Sequence, residues 1–358
     1  MVRATGTANA ASEAHRLKVI YPWVTSRRLH LIILPTEQCN FRCTYCYEDF
    51  SIGRMQPPIV TGIKRLLDAR SAGLESLAIS WFGGEPLVAK SIVLDISRHA
   101  CELARAHSKI HLQIGITTNG FLLDDRTAHE LSGAGVTRYQ ITLDGPRECH
   151  DRTRRHIAVG GSFDRIWENL LRMRTSALDF EVTIRVNVSP DNLGGMDAFI
   201  ERIRQEFLAD RRFTVFFKEV GKWGGPNDDH LRTFTHAEGE TIITELLRKA
   251  HAGFDRHRSP TDQDAELNPC YAARANSLVI RADGRIGKCT VALRDPRNNV
   301  GLLRSDGTVA INHARLAPWL RGIDTLDPDA LGCPLEALPE ERGTPATIPL
   351  VPAALGTP

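Results

Sequence analysis

Residues 29–46 read LHLIILPTEQCNFRCTYC: an apolar, β-rich run from Leu29 to Leu34, followed at once by Cys39, Cys43 and Cys46. The run reads as a strand, so the three cysteines stand on the loop that leaves it. Runs of the same kind recur at Leu77–Trp81, Ile110–Thr117, Val136–Leu143, Phe180–Val188 and Phe213–Phe217. Between them, apolar residues at three- and four-residue spacing predict helices over Ile59–Arg70, Ile92–Ala106, Asp125–Leu131, Phe163–Arg174 and Met196–Phe207. Such alternation predicts parallel strands joined by right-handed crossovers. Six units fit before the pattern changes near Gly221. The expected fold class is therefore α/β, a partial (β/α)6 barrel over residues 29–220 with its site at the C-terminal strand ends.

Outside this barrel the chain divides further. Residues 1–28 read as a leader segment with one strand at Lys18–Val24, and residues 221–269 as a Gly-, Asp- and His-rich linker around a helix at Thr241–Ala250. Residues 270–333 form a small second module. Its expected strands are Ser277–Arg281 and Arg285–Val291, with turns at Asp283-Gly284 and Asp306-Gly307. Residues 334–358, rich in Pro, Ala and Gly, are expected to be disordered.

Composition narrows the function classes. Of 358 residues, 42% are hydrophobic and 25% charged, which suits a globular protein. A net charge of +2 gives no global reason to bind nucleic acid or an anionic membrane. The one dense basic stretch, Arg152 to Arg155 interrupted by Thr153, is too short for a nucleic-acid arm and reads as a solvated loop or a local anion contact. No run of 18 apolar residues occurs and the N-terminus lacks a secretory apolar core, so a cytoplasmic protein is expected; a monomer is expected as well. Eight cysteines then point to metal or redox chemistry more than to disulfides.

Three thiolates at CxxxCxxC spacing can hold three irons of a cubane and leave the fourth iron without a protein ligand. Zinc is the competing reading; a structural zinc site wants a fourth ligand, which a distant residue can supply. Spacing alone leaves both open. Three more motifs follow in order, each at a predicted strand end: Trp81-Phe82-Gly83-Gly84-Glu85-Pro86, Thr117-Thr118-Asn119-Gly120, and Thr142-Leu143-Asp144-Gly145-Pro146 with His150, Asp151 and Arg154 behind it. With these motifs the sequence resembles the radical S-adenosylmethionine (SAM) superfamily. That superfamily has an aromatic residue before the third cysteine, here Tyr45, and a GGEP motif after the second strand. The last motif resembles the branch that modifies peptides and proteins, which includes anaerobic sulfatase maturases and ribosomal-peptide maturases. The resemblance spans about residues 29–220 and 270–333.

The resemblance implies a 4Fe-4S cluster on Cys39, Cys43 and Cys46, with S-adenosyl-L-methionine chelating the open iron through its amino and carboxylate groups. The hard chemistry, release of a 5'-deoxyadenosyl radical, then belongs to the cofactor. Gly83 and Gly84 would admit backbone close to the ligand, with Gly83–Glu85 facing the methionyl ammonium. A plain strand-to-helix turn at Gly83-Gly84-Glu85-Pro86 is the other reading of that motif. Tyr45 and Asn119 belong to the same cofactor set, and Thr142 and Asp144 would hold the ribose hydroxyls. Arg154 and Arg185 are the candidates for the methionyl carboxylate. Arg185 lies in an alternating strand whose inward face the period alone does not identify.

A second set is formed by Cys270, Cys289 and Cys333. The arrangement C-x13-G-x4-C from Cys270 through Gly284 to Cys289 resembles the opening of the auxiliary-cluster (SPASM, or shorter twitch) module. A full module carries seven cysteines. Here Pro339 and Gly343 stand where further ones belong, so the module is truncated and two auxiliary clusters are excluded. One auxiliary iron–sulfur cluster with an open or non-cysteine position is expected, against a degenerate module whose cysteines are structural. Cys101 and Cys149 read as packed residues. The substrate implied is a precursor peptide or protein that is cross-linked, epimerised or oxidised. A separate leader-recognition protein and a flavodoxin or ferredoxin electron donor would be its partners. A small-molecule substrate such as an amino acid or aminoglycoside is the alternative, and a noncatalytic metal-binding scaffold or sensor the alternative from another class. No catalytic acid or base is identifiable from the sequence.

Overall fold

A computed structural model describes residues 16–253 and 269–340. It begins with α1 (residues 16–24), β1 (Arg28–Ile33), β2 (Phe41–Cys43), α2 (Pro57–Ser71), β3 (Ser76–Trp81) and α3 (Lys90–Ala106). There follow β4 (His111–Thr118), α4 (Asp125–Gly133), β5 (Val136–Leu143), α5 (Arg147–Thr153), β6 (Arg154–His156) and α6 (Phe163–Thr175). Then come β7 (Glu181–Val188), α7 (Met196–Ile203), β8 (Phe213–Glu219) and α8 (His236–His251). The C-terminal part holds β9 (Ser277–Ile280), β10 (Arg285–Gly287), β11 (Gly301–Leu303), β12 (Val309–Ile311), α9 (His313–Thr325) and α10 (Pro328–Gly332).

Strands β1, β3, β4, β5, β7 and β8 lie side by side in that order and all pair in parallel, which is the partial (β/α)6 barrel. On the other flank of β1, β9 also pairs in parallel, and β10 to β12 continue as antiparallel hairpins. The C-terminal module therefore extends the barrel sheet; it does not stand apart from it.

The strands alternate by face. Leu29, Leu31 and Ile33, with Leu77, Ile79 and Trp81 and with Val182, Ile184 and Val186, form one buried cluster with the helix residues Leu67, Val93, Ile96 and Leu170. Trp81 is fully buried and its indole N–H donates to Ser97 Oγ at 3.0 Å; burying a side chain of this size contributes about 2–3 kcal/mol. The opposite parity is polar. His30, Ser80, Gln113, Thr117, Gln140, Thr142, Thr183, Arg185 and Asn187 line the concave side. A period of two thus puts apolar side chains under the helices and polar ones in the lumen.

Two contacts fasten the module. Arg281, at the end of β9, forms a buried bidentate pair with Glu37 of the cysteine-bearing loop, at 2.9 and 2.6 Å, and its third nitrogen donates to the Leu293 carbonyl. Removing one partner of such a pair costs about 3–5 kcal/mol. Gly62 of α2 comes so near the β11–β12 turn that a Cβ there would lie 2.3 Å from the Arg304 carbonyl oxygen.

Several expectations are corrected. Lys18–Val24 is helical: Val19, Ile20 and Trp23 present a three-to-four-residue face to Ala273 and Leu331, which a strand would split. The strand expected over Arg285–Val291 stops at Gly287, because Lys288 and Cys289 both turn their N–H groups to the Asn298 side chain. The helix expected over Met196–Phe207 is α7 followed by a π-helical turn, Arg204–Leu208. Pro334–Ala337 is a 3-10 turn where disorder was expected; positions 341–358, 254–268 and 1–15 lie outside the described residues. Among the described residues no helix is long and apolar enough to cross a membrane.

His30 ties β1 to its two neighbours, with Nε2 on Ser80 Oγ at 2.9 Å and Nδ1 on Ser277 Oγ at 3.2 Å. Burial first, then Arg274 and Lys288, pushes its pKa from 6.5 down to about 4. The neutral ring is the folded form, so its contribution is complete above pH 6.5 and is lost as pH falls toward 4. Denaturant unfolding of His30→Gln should lose about 3 kcal/mol less than wild type between pH 7 and pH 4. Equal pH slopes in both proteins would contradict this.

Candidate active site

The cysteine loop is held by backbone before any ligand is considered. Cys39 Sγ accepts from the Phe41 N–H at 3.3 Å, and the Cys46 N–H donates to the Cys43 carbonyl at 3.1 Å. β2 pairs with β6, placing Cys43 opposite Arg154, and the Thr44 N–H donates to the Thr153 carbonyl. The loop after β1 is thereby tied to the segment after β5.

Glu85 fixes a third segment. It is fully buried; its carboxylate accepts from the Leu87 N–H at 3.0 Å, Thr118 Oγ1 at 2.7 Å and the Asn119 N–H at 2.7 Å, while its own N–H donates to the Gln38 carbonyl. Burial raises its pKa, and these donors act in the opposite direction. Neither Glu85 nor Pro86 lines the cavity; they brace it. Gly83 and Gly84 do line it, but what demands glycine there is the neighbouring loop. A Cβ on Gly83, whose φ is +110°, would lie 2.4 Å from the Thr36 carbonyl oxygen, and one on Gly84 2.5 Å from that of Gln38.

Tyr45 is the hub of the far wall. Its hydroxyl donates to Asp144 Oδ1 at 3.0 Å and accepts from Arg154 Nη1 at 2.7 Å and Asn187 Nδ2 at 2.9 Å. Asp144 Oδ2 accepts from Thr153 Oγ1, so both carboxylate oxygens have protein partners. Asp144 stands behind the cavity wall, whereas Thr142 lines it. Burial pulls the Arg154 pKa down, but Tyr45, Cys43 and Asp144 outweigh it and hold the guanidinium charged. Arg185 also lines the cavity. Its one side-chain bond is from Nε to Asn187 Oδ1 at 2.8 Å, and no carboxylate pairs with it among the described residues. Asn119 bridges to the cysteine loop through Asn40 Oδ1 at 2.8 Å.

His150 and Asp151 prove to be scaffolding. His150 Nδ1 accepts from the Asp144 N–H and Nε2 meets Ser162 Oγ at 3.0 Å; burial keeps the ring neutral, far below its ordinary pKa. Asp151 Oδ1 caps the Ser162 and Phe163 N–H groups.

One cavity of about 770 Å³ is lined by Cys39, Cys43 and Cys46 and equally by Cys270, Cys289 and Cys333. Phe82, Phe216, Trp223 and Tyr271 supply aromatic wall between the polar groups. The second set is locked internally: the Cys270 N–H donates to the Leu331 carbonyl, and Cys333 caps α10. Sequence reasoning missed Asn187, Lys218 and Glu48 on this wall. Parity with Arg185 along β7 was the available signal for Asn187. Glu48 is buried, its Oε2 has no partner among the described residues, and burial raises its pKa to about 8.

Burial raises all three thiols of the first set, Cys46 to about 12, so thiolates at this place need a positive centre. Among the described residues no three Cys, His, Asp or Glu side chains converge as one metal ion needs, with sulfurs about 4 Å apart. Three thiols lining one cavity of this size would suit a cubane.

Parallel strands ending on three cysteines, with glycine, carboxylate and arginine loops at the next strand ends, define a cofactor-dependent α/β barrel enzyme. The sequence profile of the Radical SAM superfamily matches residues 33–203, and these residues are a radical SAM domain. GTP 3',8-cyclase of Haemophilus influenzae strain Rd is 27% identical over 323 residues, 80% of this chain and 85% of that enzyme. The cysteine-type anaerobic sulfatase-maturating enzyme of Clostridium novyi is 24% identical over 234 residues, 62% of this chain and 59% of that enzyme. Several curated relatives are matched over only about half of their length. The solved structure of anSMEcpe with bound AdoMet and Kp18Cys peptide superposes with a TM-score of 0.61 at 18% identity, covering 82% of this chain and 84% of that one, and shows the same fold. Residues 33–203 thus form the domain of a family that uses a 4Fe-4S cluster and SAM.

Tyr45→Phe removes one donor and one double acceptor and should destabilise the protein by about 1–3 kcal/mol, read by urea unfolding; an unchanged midpoint would contradict the hub. Gly84→Ala should cut the iron retained after anaerobic reconstitution about threefold, because backbone atoms leave a Cβ no room. Full iron loading would show that the loop yields.

Proposed function

We propose that the chain reductively cleaves S-adenosylmethionine and abstracts hydrogen from a side chain of a precursor peptide or protein, giving a cross-link, an epimerised residue or an oxidised one. The observation that carries this is the shared cavity, which faces one wall of Cys39, Cys43 and Cys46 with another of Cys270, Cys289 and Cys333.

Bound there, the first cluster and SAM supply a one-electron cleavage that yields a 5'-deoxyadenosyl radical. The chain's residues do the rest. Cys39, Cys43 and Cys46 would hold the cluster through three of its irons. Arg185, a cation on the cavity wall without a carboxylate partner among the described residues, would receive the methionyl carboxylate. Arg154, already balanced through Tyr45 by Asp144, sets the local field. Thr142 would face the ribose, and Phe82 and Tyr271 would give the reacting carbon an apolar wall. Cys270, Cys289 and Cys333 would carry one auxiliary cluster with an open position.

The peptide reading draws support from the sulfatase-maturating relative and from the fold shared with anSMEcpe. A small-molecule substrate is the second reading. The three-cysteine module and the long match to GTP 3',8-cyclase favour it.

Replacing Cys39, Cys43 and Cys46 together by alanine should abolish 5'-deoxyadenosine release under dithionite while about four irons per chain remain on the second set. Residual iron near zero would remove the auxiliary cluster, and undiminished 5'-deoxyadenosine would remove the proposal. Co-expression with candidate precursor peptides, read by intact mass, separates peptide from small-molecule substrates.

A further inference from the structure

Among the described residues five charged side chains line the cavity: Glu48, Arg154, Arg185, Lys218 and Glu219. Three of them are answered within the protein. Lys218 pairs with Glu219 at 2.6 Å, and Arg154 shares the Tyr45 hydroxyl with Asp144. That leaves one cation, Arg185, and one anion, Glu48. Glu48 is only 7% exposed, and its Oε2 meets no donor among the described residues. Two neighbouring arginines are spent elsewhere. Arg281 gives two nitrogens to Glu37 and the third to the Leu293 carbonyl, and Arg294 pairs with Asp49. The Glu37 carboxylate acts on Glu48 more strongly than the Arg281 guanidinium does.

A buried carboxylate without a counter-charge costs stability, and a ligand that brings the missing charge repays it. Its position narrows the ligand. Tyr47, the residue before it, feels Cys46, Arg185 and Tyr271 as well as Glu48, so this stretch lies where the two cysteine walls meet. The methionyl nitrogen of SAM does not supply the charge: an amino group that chelates iron does so through its lone pair, as a neutral amine. We propose that Glu48 is the substrate-binding carboxylate of this cavity and that the substrate presents an ammonium group to it, from a lysine side chain of a peptide or from a small amine. The inference rests on the radical chemistry proposed above and adds to it the charge of the substrate.

The test uses the iron-loaded full chain with SAM bound, as wild type, Glu48→Gln and Glu48→Asp. The probes are acetyl-Gly-Lys-Gly-amide against its norleucine counterpart, and pentylamine against pentan-1-ol. Calorimetry should show at least one amine binding wild type about tenfold more tightly than its neutral counterpart. That preference should vanish in Glu48→Gln and survive in part in Glu48→Asp. A preference confined to the peptide pair makes the ammonium a peptide's, and one confined to pentylamine makes it a small molecule's. Equal affinity for charged and neutral probes in both pairs overturns the proposal, as does a preference that Glu48→Gln retains. The urea midpoint of Glu48→Gln should match or exceed that of wild type, because an unanswered buried charge is removed; a lower midpoint would make Glu48 structural and overturn the proposal. Loss of SAM affinity in Glu48→Gln would give the carboxylate to the cofactor, and loss of iron from the second cysteine set would make it a cluster ligand; either overturns the proposal. Wild type that releases no 5'-deoxyadenosine even with dithionite defeats the radical chemistry and this inference with it; wild type that releases it without an amine preference defeats only this inference.

Discussion

The carboxylate of Glu85 meets three donors from two segments while its own N–H reaches a third, and the rest of the site depends on that knot. Leu87 sets the start of the helix after β3, Thr118 and Asn119 set the end of β4, and Gln38 sets the loop that carries Cys39. Remove the carboxylate and the end of β4 and the turn after β3 lose their common anchor in a place that water does not reach. The two glycines before it complete the constraint, since they let the β3 loop lie against the carbonyls of Thr36 and Gln38. The cysteine loop is thus positioned by its neighbours' backbone, and a bound cofactor meets a surface already formed.

A second knot, around Tyr45, divides the charges on the opposite wall. Arg154 shares a hydroxyl with the Asp144 network, so its charge is largely answered within the protein. Arg185 leans on the amide oxygen of Asn187 and, among the described residues, has no carboxylate. This difference separates two arginines that look equivalent as sequence. The buried pair of Arg281 and Glu37 joins this region to the second cysteine set, so the two walls of the cavity are fixed to each other.

The barrel was legible because local pattern and global fold agree there: six β-rich runs with five helical periods between them become six parallel strands. The cysteines and the motifs at strand ends were legible because their order along the chain repeats their order around the sheet. Three things escaped. Which face Arg185 occupies depends on which parity the helices cover, and a single strand does not carry that. The roles of Glu85, Asp144, His150 and Asp151 as braces were hidden, because a motif records that a residue is required and not what it touches. The parallel pairing of β9 with β1 joins residues some 250 positions apart, and α9 carries Pro318 in its interior; neither leaves a local signature.

The central claim is an iron on the first cluster that the protein leaves open and SAM occupies. The most direct test is electron paramagnetic resonance of the reduced, reconstituted Cys270→Ala/Cys289→Ala/Cys333→Ala variant, recorded with and without SAM. The account predicts a single 4Fe-4S signal whose g-values shift when SAM is added. A signal that SAM leaves unchanged, or a protein that takes up zinc and shows no cluster signal, would contradict it.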